Sequence, residues 1–205
     1  RLLPIPSGAA GGDSYAAQHY DLRALGLRSG PMLELGRFCI APGHRDPDIL
    51  RLAWGAITAL VDADGFEFLF GCSSFAGQEP SRYADALGLL HGRHLAPARL
   101  APRVRAPDVV TLRPRPGAPP PDPRRALQQM PPLLRTYLAM GGWVSDHAVI
   151  DRDLGTLHVF TGLEISAIPA ARARALRNVV TGREPARDGS ALASARAAPA
   201  DAAPR

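Results

Sequence analysis

The 205 residues carry 46% hydrophobic side chains, enough to bury one substantial core in a single domain. All 24 basic residues are arginine, and against 19 acidic ones they leave a formal charge of +5, which admits an acidic protein, an anionic membrane surface or nucleic acid as partner. No apolar run approaches the ~18 residues of a membrane-spanning helix, and Cys39 and Cys72 lack any paired spacing, which argues against a disulfide framework or cysteine zinc site and makes a reducing cytoplasm the expected compartment.

The chain opens inside an apolar phrase, Arg1-Leu2-Leu3-Pro4, that reads as the end of a strand, so the natural sequence is expected to begin further upstream. Residues 5–30 are rich in Gly, Ser and Ala and predict mainly loop with one short helix. Residues 32–40 are apolar and β-favouring and predict a strand. Asp46 before Pro47 is an N-cap signature, and Ile49, Leu50, Ala53, Trp54, Ile57 and Leu60 keep helical spacing until Asp64-Gly65 stops them. A buried strand over 66–72 follows, so strand, helix and strand predict a parallel crossover. Residues 83–90 predict a short helix, and 91–125, dense in Arg and Pro, a surface excursion. One helix is predicted over 127–138, strands over 143–150 and 156–163, and a helix over 170–177. From 178 to 205 the Ala, Arg, Pro and Asp mixture predicts a disordered tail.

Several residues suggest chemistry. Alternation on a strand puts Glu34 and Arg37 on opposite faces, and a carboxylate between apolar neighbours is costly to bury unless paired, so Glu34 is either a structural ion pair or a tuned base. The loop from Ala41 to Asp46, with Gly43 and Arg45, precedes a helix and offers amide donors to a phosphate, but Asp46 and Asp48 compete for that helix end. His91 and His94 lack a third ligand and make a poor metal site. Cys72-Ser73-Ser74 ends a strand without a nucleophile elbow. Trp54 and Tyr137 sit at core spacing.

Leu33-Glu34-Leu35-Gly36-Arg37-Phe38-Cys39-Ile40, Leu69-Phe70-Gly71-Cys72-Ser73-Ser74-Phe75 and Leu90-His91-Gly92-Arg93-His94-Leu95-Ala96-Pro97 together resemble, in order and spacing, the ornithine lipid N-acyltransferase family. Arg1-Leu2-Leu3-Pro4, Tyr20-Asp21-Leu22, and the stretch from Tyr137-Leu138-Ala139-Met140-Gly141-Gly142 to Ile150-Asp151 are similar to further landmarks, so the resemblance covers residues 1–165. At Glu34 and Arg37 it extends to the acyl-homoserine-lactone synthases. Two departures stand out: Phe38 replaces an expected small Ser, and the loop 43–48 is poor in glycine.

The resemblance implies an α/β fold of the GNAT (acetyltransferase-like) type, a mixed central sheet flanked by helices, over 1–177, with its first strands and helices missing upstream. The implied reaction moves a 3-hydroxyacyl group from acyl carrier protein to the α-amine of L-ornithine, with no tightly bound cofactor and no metal. It casts Glu34 as the base and Arg37 as its orienter or as the clamp on the ornithine carboxylate. It makes Phe38, Cys39, Ile40, Gly71, Ser73 and Ser74 the lining of a cleft between two splayed strands. Arg45, Arg93, Arg99, Arg103 and Arg105 are expected to meet phosphopantetheine, the acidic carrier protein or the inner-membrane surface. A signal synthase acylating another amine is the nearest alternative, and a basic nucleic-acid-binding module or an inactive fragment are more distant ones; the basic stretch lacks a reader motif and interleaved aromatics.

Overall fold

The computed structural model describes residues 1–41, 43–44 and 46–181. Its strands are β1 (Leu2–Ile5), β2 (Tyr20–Asp21), β3 (Met32–Leu35), β4 (Phe68–Ala76), β5 (Arg103–Val104), β6 (Val109–Thr111), β7 (Trp143–Asp151) and β8 (Thr156–Glu164). Its helices are α1 (Tyr15–His19), α2 (Pro47–Asp64), α3 (Ala84–Arg93), α4 (Pro123–Gln129), α5 (Pro132–Ala139) and α6 (Ala170–Thr181). Six strands form one mixed sheet in the order β1-β3-β4-β8-β7-β6, and β2 and β5 make a separate two-stranded ribbon. Only β3 and β4 run parallel among the paired neighbours of the large sheet, joined by α2 as the strand-helix-strand pattern requires.

Alternation decides what each face of the sheet carries. Leu33 and Leu35 of β3, Leu69 of β4 and Leu163 of β8 pack with Trp54, Ile57 and Val61 of α2 and with Tyr137 of α5. Further along the same strands, Phe75, Leu157, Val159 and Ala148 meet Leu87 and Leu90 of α3 and Leu134 of α5. The opposite face, with Met32, Phe68, Phe70 and Phe160, is covered by Ala16 of α1, Tyr20, Leu25 and Leu100. Each large apolar side chain so buried contributes about 1.5–3 kcal/mol, more than the marginal propensity of an isolated helix supplies.

The helix α2 has the expected ends: the Asp46 side chain accepts from the Asp48 amide at 2.8 Å, and Gly65 closes the helix at φ 67°. Other boundaries move. β3 ends at Leu35 rather than at residue 40, because Gly36 donates to the carbonyl of Arg1 and Arg37 turns the chain at φ 52°. β4 begins two residues later than expected and runs on to Ala76, held along its whole length by β8. The expected helix over 127–138 is two helices, because Pro131 forces Met130 into an extended conformation (ψ 135°) between α4 and α5. Residues 91–125 are a surface excursion only in part: 113–120 are exposed, but Leu100, Ala106 and Leu112 are buried, β6 pairs with β7, and the backbone of His94 and Ala96 bonds Val144. α6 continues to Thr181, four residues into the stretch expected to be tail, and residues 182–205 lie outside the described residues.

Candidate active site

The ladder between β3 and β4 ends at the pair Leu35 and Gly71. Gly71 sets that close approach, since a Cβ there would lie 2.2 Å from the carbonyl oxygen of Leu35. Beyond it the two strands part. The chain after Leu35 bends away while β4 keeps β8 as its other neighbour, so the main-chain groups of Cys72, Ser73 and Ser74 on the β3 side lose their strand partner. A cavity of about 350 Å³ fills the gap, lined by Arg37, Phe38, Cys39, Ile40, Cys72, Ser73 and Ser74, with Leu50 of α2 and Pro131 to Leu133 as its apolar wall.

Five of the six residues expected to line the cleft, Phe38, Cys39, Ile40, Ser73 and Ser74, do so; Gly71 forms its closed end instead. Arg37 also lines it, exposed, and its charge acts on the hydroxyl of Tyr15. Arg45 lies outside the described residues. None of the remaining expected anion-binding arginines borders the cleft. Arg99 is paired with Glu164 at 3.2 Å, Arg103 lies beside Asp21, Arg105 lines a separate cavity of about 290 Å³ under the Gly8–Asp13 turn, and Arg93 is exposed at the end of α3.

Glu34 is the main revision. It is 2% exposed and absent from the cleft lining, and each of its oxygens already accepts a main-chain amide, from Tyr15 at 3.0 Å and from Ala16 at 2.7 Å. A carboxylate so engaged fastens the first turn of α1 onto the sheet, and both of its oxygens are already taken by main-chain amides. Arg37 is not its ion-pair partner among the described residues. Main-chain amides stand where a cation is expected from sequence.

On the same face a second polar group gathers that the sequence does not single out. His158 of β8 is the register partner of Ser74 of β4, which lines the cleft. One potential ligand atom from each of His19, Asp151 and His158 lies within 4.8 Å of the others. Asp151 is 5% exposed; it accepts the hydroxyl of Tyr15 at 2.9 Å and the amides of Asp153 and Leu154 at 3.0 and 2.9 Å. Burial pushes its carboxyl up, but the Leu154 amide and the Tyr15 hydroxyl outweigh this and hold it below the usual carboxylate range. Burial pushes the Cys72 thiol up, and the charges of Glu34 and Asp151 push it the same way, so it stays a thiol near neutral pH and is no thiolate nucleophile.

His158 is buried, and burial first, then the neighbouring His19, lowers its imidazole from the ordinary 6.5 to about 4 against the opposing pull of Asp151. The unfolded chain therefore binds a proton between those values that the folded protein refuses, so the contribution of His158 to stability is present above pH 6.5 and lost as pH falls toward 4. The loss should approach about 3 kcal/mol. Denaturant unfolding at pH 7 and pH 4.5 checks this: His158→Gln should flatten the difference, and an unchanged pH dependence in that variant would show that other groups carry it.

A family model described as an acetyltransferase (GNAT) domain matches residues 1–55. The L-ornithine N(alpha)-acyltransferase of Rhodobacter capsulatus is 36% identical over 82% of this chain and 64% of its own length. That of Brucella abortus is 36% identical over 75% of the chain and 55% of its own length, and that of Rhizobium meliloti 33% identical over 82% and 57%. The chain thus spans somewhat over half the length of the curated relatives it matches. No solved structure matches it.

Proposed function

Starting from a chain that belongs, by its GNAT fold and its relatives, with the L-ornithine N(alpha)-acyltransferases, we propose that it is the core of an enzyme moving a 3-hydroxy fatty acyl group from acyl carrier protein to the α-amine of L-ornithine. The observation that carries this reading is the cleft at the end of the β3–β4 ladder. A thioester threaded there meets main-chain donors freed from pairing, and such donors stabilise the oxyanion that forms as nitrogen attacks the carbonyl carbon. Loss of one donor of this kind typically costs about 3–4 kcal/mol of barrier. The apolar wall of Leu50, Pro132 and Leu133 suits an acyl chain.

Arg37, exposed at the mouth, suits the carboxylate of an amino-acid acceptor, since its planar fork can bind both oxygens. Glu34 acts in this reading as a positioning residue that holds α1 and Tyr15 against the sheet. A carrier-protein donor is favoured by the net charge of +5 and by the exposed Arg93, Arg103 and Arg105, which would also tolerate an anionic membrane surface.

The test uses full-length protein with 3-hydroxyacyl carrier protein, the matching acyl coenzyme A, and a panel of amino acids and S-adenosylmethionine, with products read by mass spectrometry. Acyl-ornithine formed from the carrier protein is expected. Acylation of S-adenosylmethionine, or equal use of coenzyme A, would overturn the acceptor or the donor assignment. In the same assay, charge reversal at Arg103 and Arg105 should raise the KM for carrier protein and leave that for ornithine unchanged.

A further inference from the structure

We propose that His19, Asp151 and His158 form the seat of the acceptor's ammonium group, and that Nε2 of His158 removes its proton before attack on the thioester. The assignment rests on the acyl-transfer reading above and names the part of the site that the cleft alone does not supply.

Three observations point there. The first is an uncompensated charge. Asp151 is a buried carboxylate held in its ionised form first by the Leu154 amide and the Tyr15 hydroxyl and then by the neighbouring imidazoles of His158 and His19, and among the described residues no arginine pairs with it. An anion in that condition is costly unless a cation arrives.

The second is a bare lone pair. The Tyr20 hydroxyl gives its one hydrogen to the main-chain oxygen of His158 at 2.9 Å, so toward Nδ1 of the same residue, at 3.2 Å, it can only accept. Giving the hydroxyl hydrogen to the shorter contact assigns the ring hydrogen to Nδ1 and the lone pair to Nε2, which is buried and without a hydrogen-bond partner among the described residues. His19 stands edge-on to that ring with centroids 4.9 Å apart, and Tyr15 packs on His19 at 4.8 Å.

The third is size. A tetrahedral metal about 2.1 Å from each ligand brings those atoms to about 3.4 Å from one another. An ammonium giving hydrogen bonds of about 2.8 Å separates its acceptors by about 4.6 Å. The three side chains offer atoms within 4.8 Å of one another, and among the described residues the sole ion pair to an imidazole is Asp146 with His147. Asp151 thus stands off both rings by more than ion-pair distance, which fits the larger spacing.

The seat meets the cleft through the sheet, although His19, Asp151 and His158 do not themselves line it. Ser74 and His158 are direct cross-strand partners, the Cys72 thiol in the cleft lining feels Asp151, and Arg37 at the mouth acts on Tyr15. The ammonium gives one proton to Nε2, the freed nitrogen pair forms the C–N bond, and the C–S bond breaks as the second proton passes from nitrogen to the leaving sulfur. The products are an amide, a thiol and a protonated imidazole that discharges to solvent.

Full-length protein tests this in steady-state and binding experiments with L-ornithine. Asp151→Asn should raise the KM for ornithine about 30- to 100-fold with the donor KM unchanged, the worth of a charge-assisted hydrogen bond. His158→Gln should lower kcat about 100- to 1,000-fold and remove the acidic limb of the pH–rate profile. Because Asp151 also anchors the β7–β8 turn, His19→Gln, which leaves that turn untouched, serves as the second variant and should raise the ornithine KM several-fold. If wild-type protein acylates ornithine while His19→Gln and His158→Gln keep wild-type kinetics, the seat is refuted and the transferase reading stands. If wild type acylates no amine, the transferase reading itself fails. Stoichiometric zinc retained through chelator dialysis, with activity following it, would overturn the ammonium assignment in favour of a metal centre.

Discussion

Gly71→Ala is expected to cost about 3 kcal/mol of stability and to abolish most turnover. The added Cβ would sit 2.2 Å from the carbonyl oxygen of Leu35 and 3.3 Å from its carbon. Both are backbone atoms of a fully buried strand, so no rotamer change relieves the clash. The ladder must open where β3 and β4 make their last pair, and inserting a group into a packed interior typically costs about 1–3 kcal/mol, more where the neighbour cannot yield. The same opening shifts the point at which the strands part, and a displacement of about 1 Å at reacting atoms can cost a hundredfold in rate. Gly36→Ala is the control, because a Cβ there meets nothing within 4 Å and the residue does not adopt a left-handed conformation. Urea unfolding and steady-state rates of the three proteins decide it; a Gly71→Ala variant as stable as wild type would mean that the strands are not in the contact described.

The architecture was legible wherever one local rule acted without competition. The N-cap Asp46, the apolar spacing through Leu60 and the stop at Gly65 define α2 with no need of tertiary knowledge. The strand-helix-strand order then puts β3 and β4 side by side as the parallel pair, while the lining of the cleft where they part, Phe38 to Ile40 and Ser73 to Ser74, was implied by the family resemblance. What escaped was set by partners distant in the chain. β3 stops at Leu35 because Arg1 takes the next amide, and no periodicity within residues 32–40 reports that. Pro131-Pro132 did announce the break between α4 and α5, and apolar spacing on both sides masked it.

His19, Asp151 and His158 were missed for a different reason. The rule that flagged Glu34, a polar residue in an otherwise apolar strand, applies with equal force to His158 between Leu157 and Val159. Asp151 entered only as a landmark of the resemblance. Their meeting depends on α1 crossing the sheet opposite β7 and β8, more than 130 residues away in sequence, which a pattern confined to one segment cannot encode.

Glu34→Gln separates a positioning carboxylate from a catalytic one. If Glu34 were the base, the nearly isosteric amide would fold normally while the rate collapsed and one limb of the pH–rate profile vanished. The hydrogen bonds argue otherwise, because Tyr15 and Ala16 each present an N–H to a separate oxygen. A carboxamide can accept one of these and must turn its own N–H2 toward the other, leaving a buried donor unmet. Hydrogen bonds to a charged group are worth about 1.5–3 kcal/mol, and an unsatisfied buried donor costs about 1–3 kcal/mol, so the variant should lose about 2–4 kcal/mol of stability. With its anchor gone, α1 carries Tyr15 and His19 off the sheet, and turnover should fall about a hundredfold with the shape of the pH–rate profile retained. Melting curves and pH–rate profiles of the same preparation therefore suffice. A variant of wild-type stability with a lost basic or acidic limb would return the proton-accepting role to Glu34 and take it from His158.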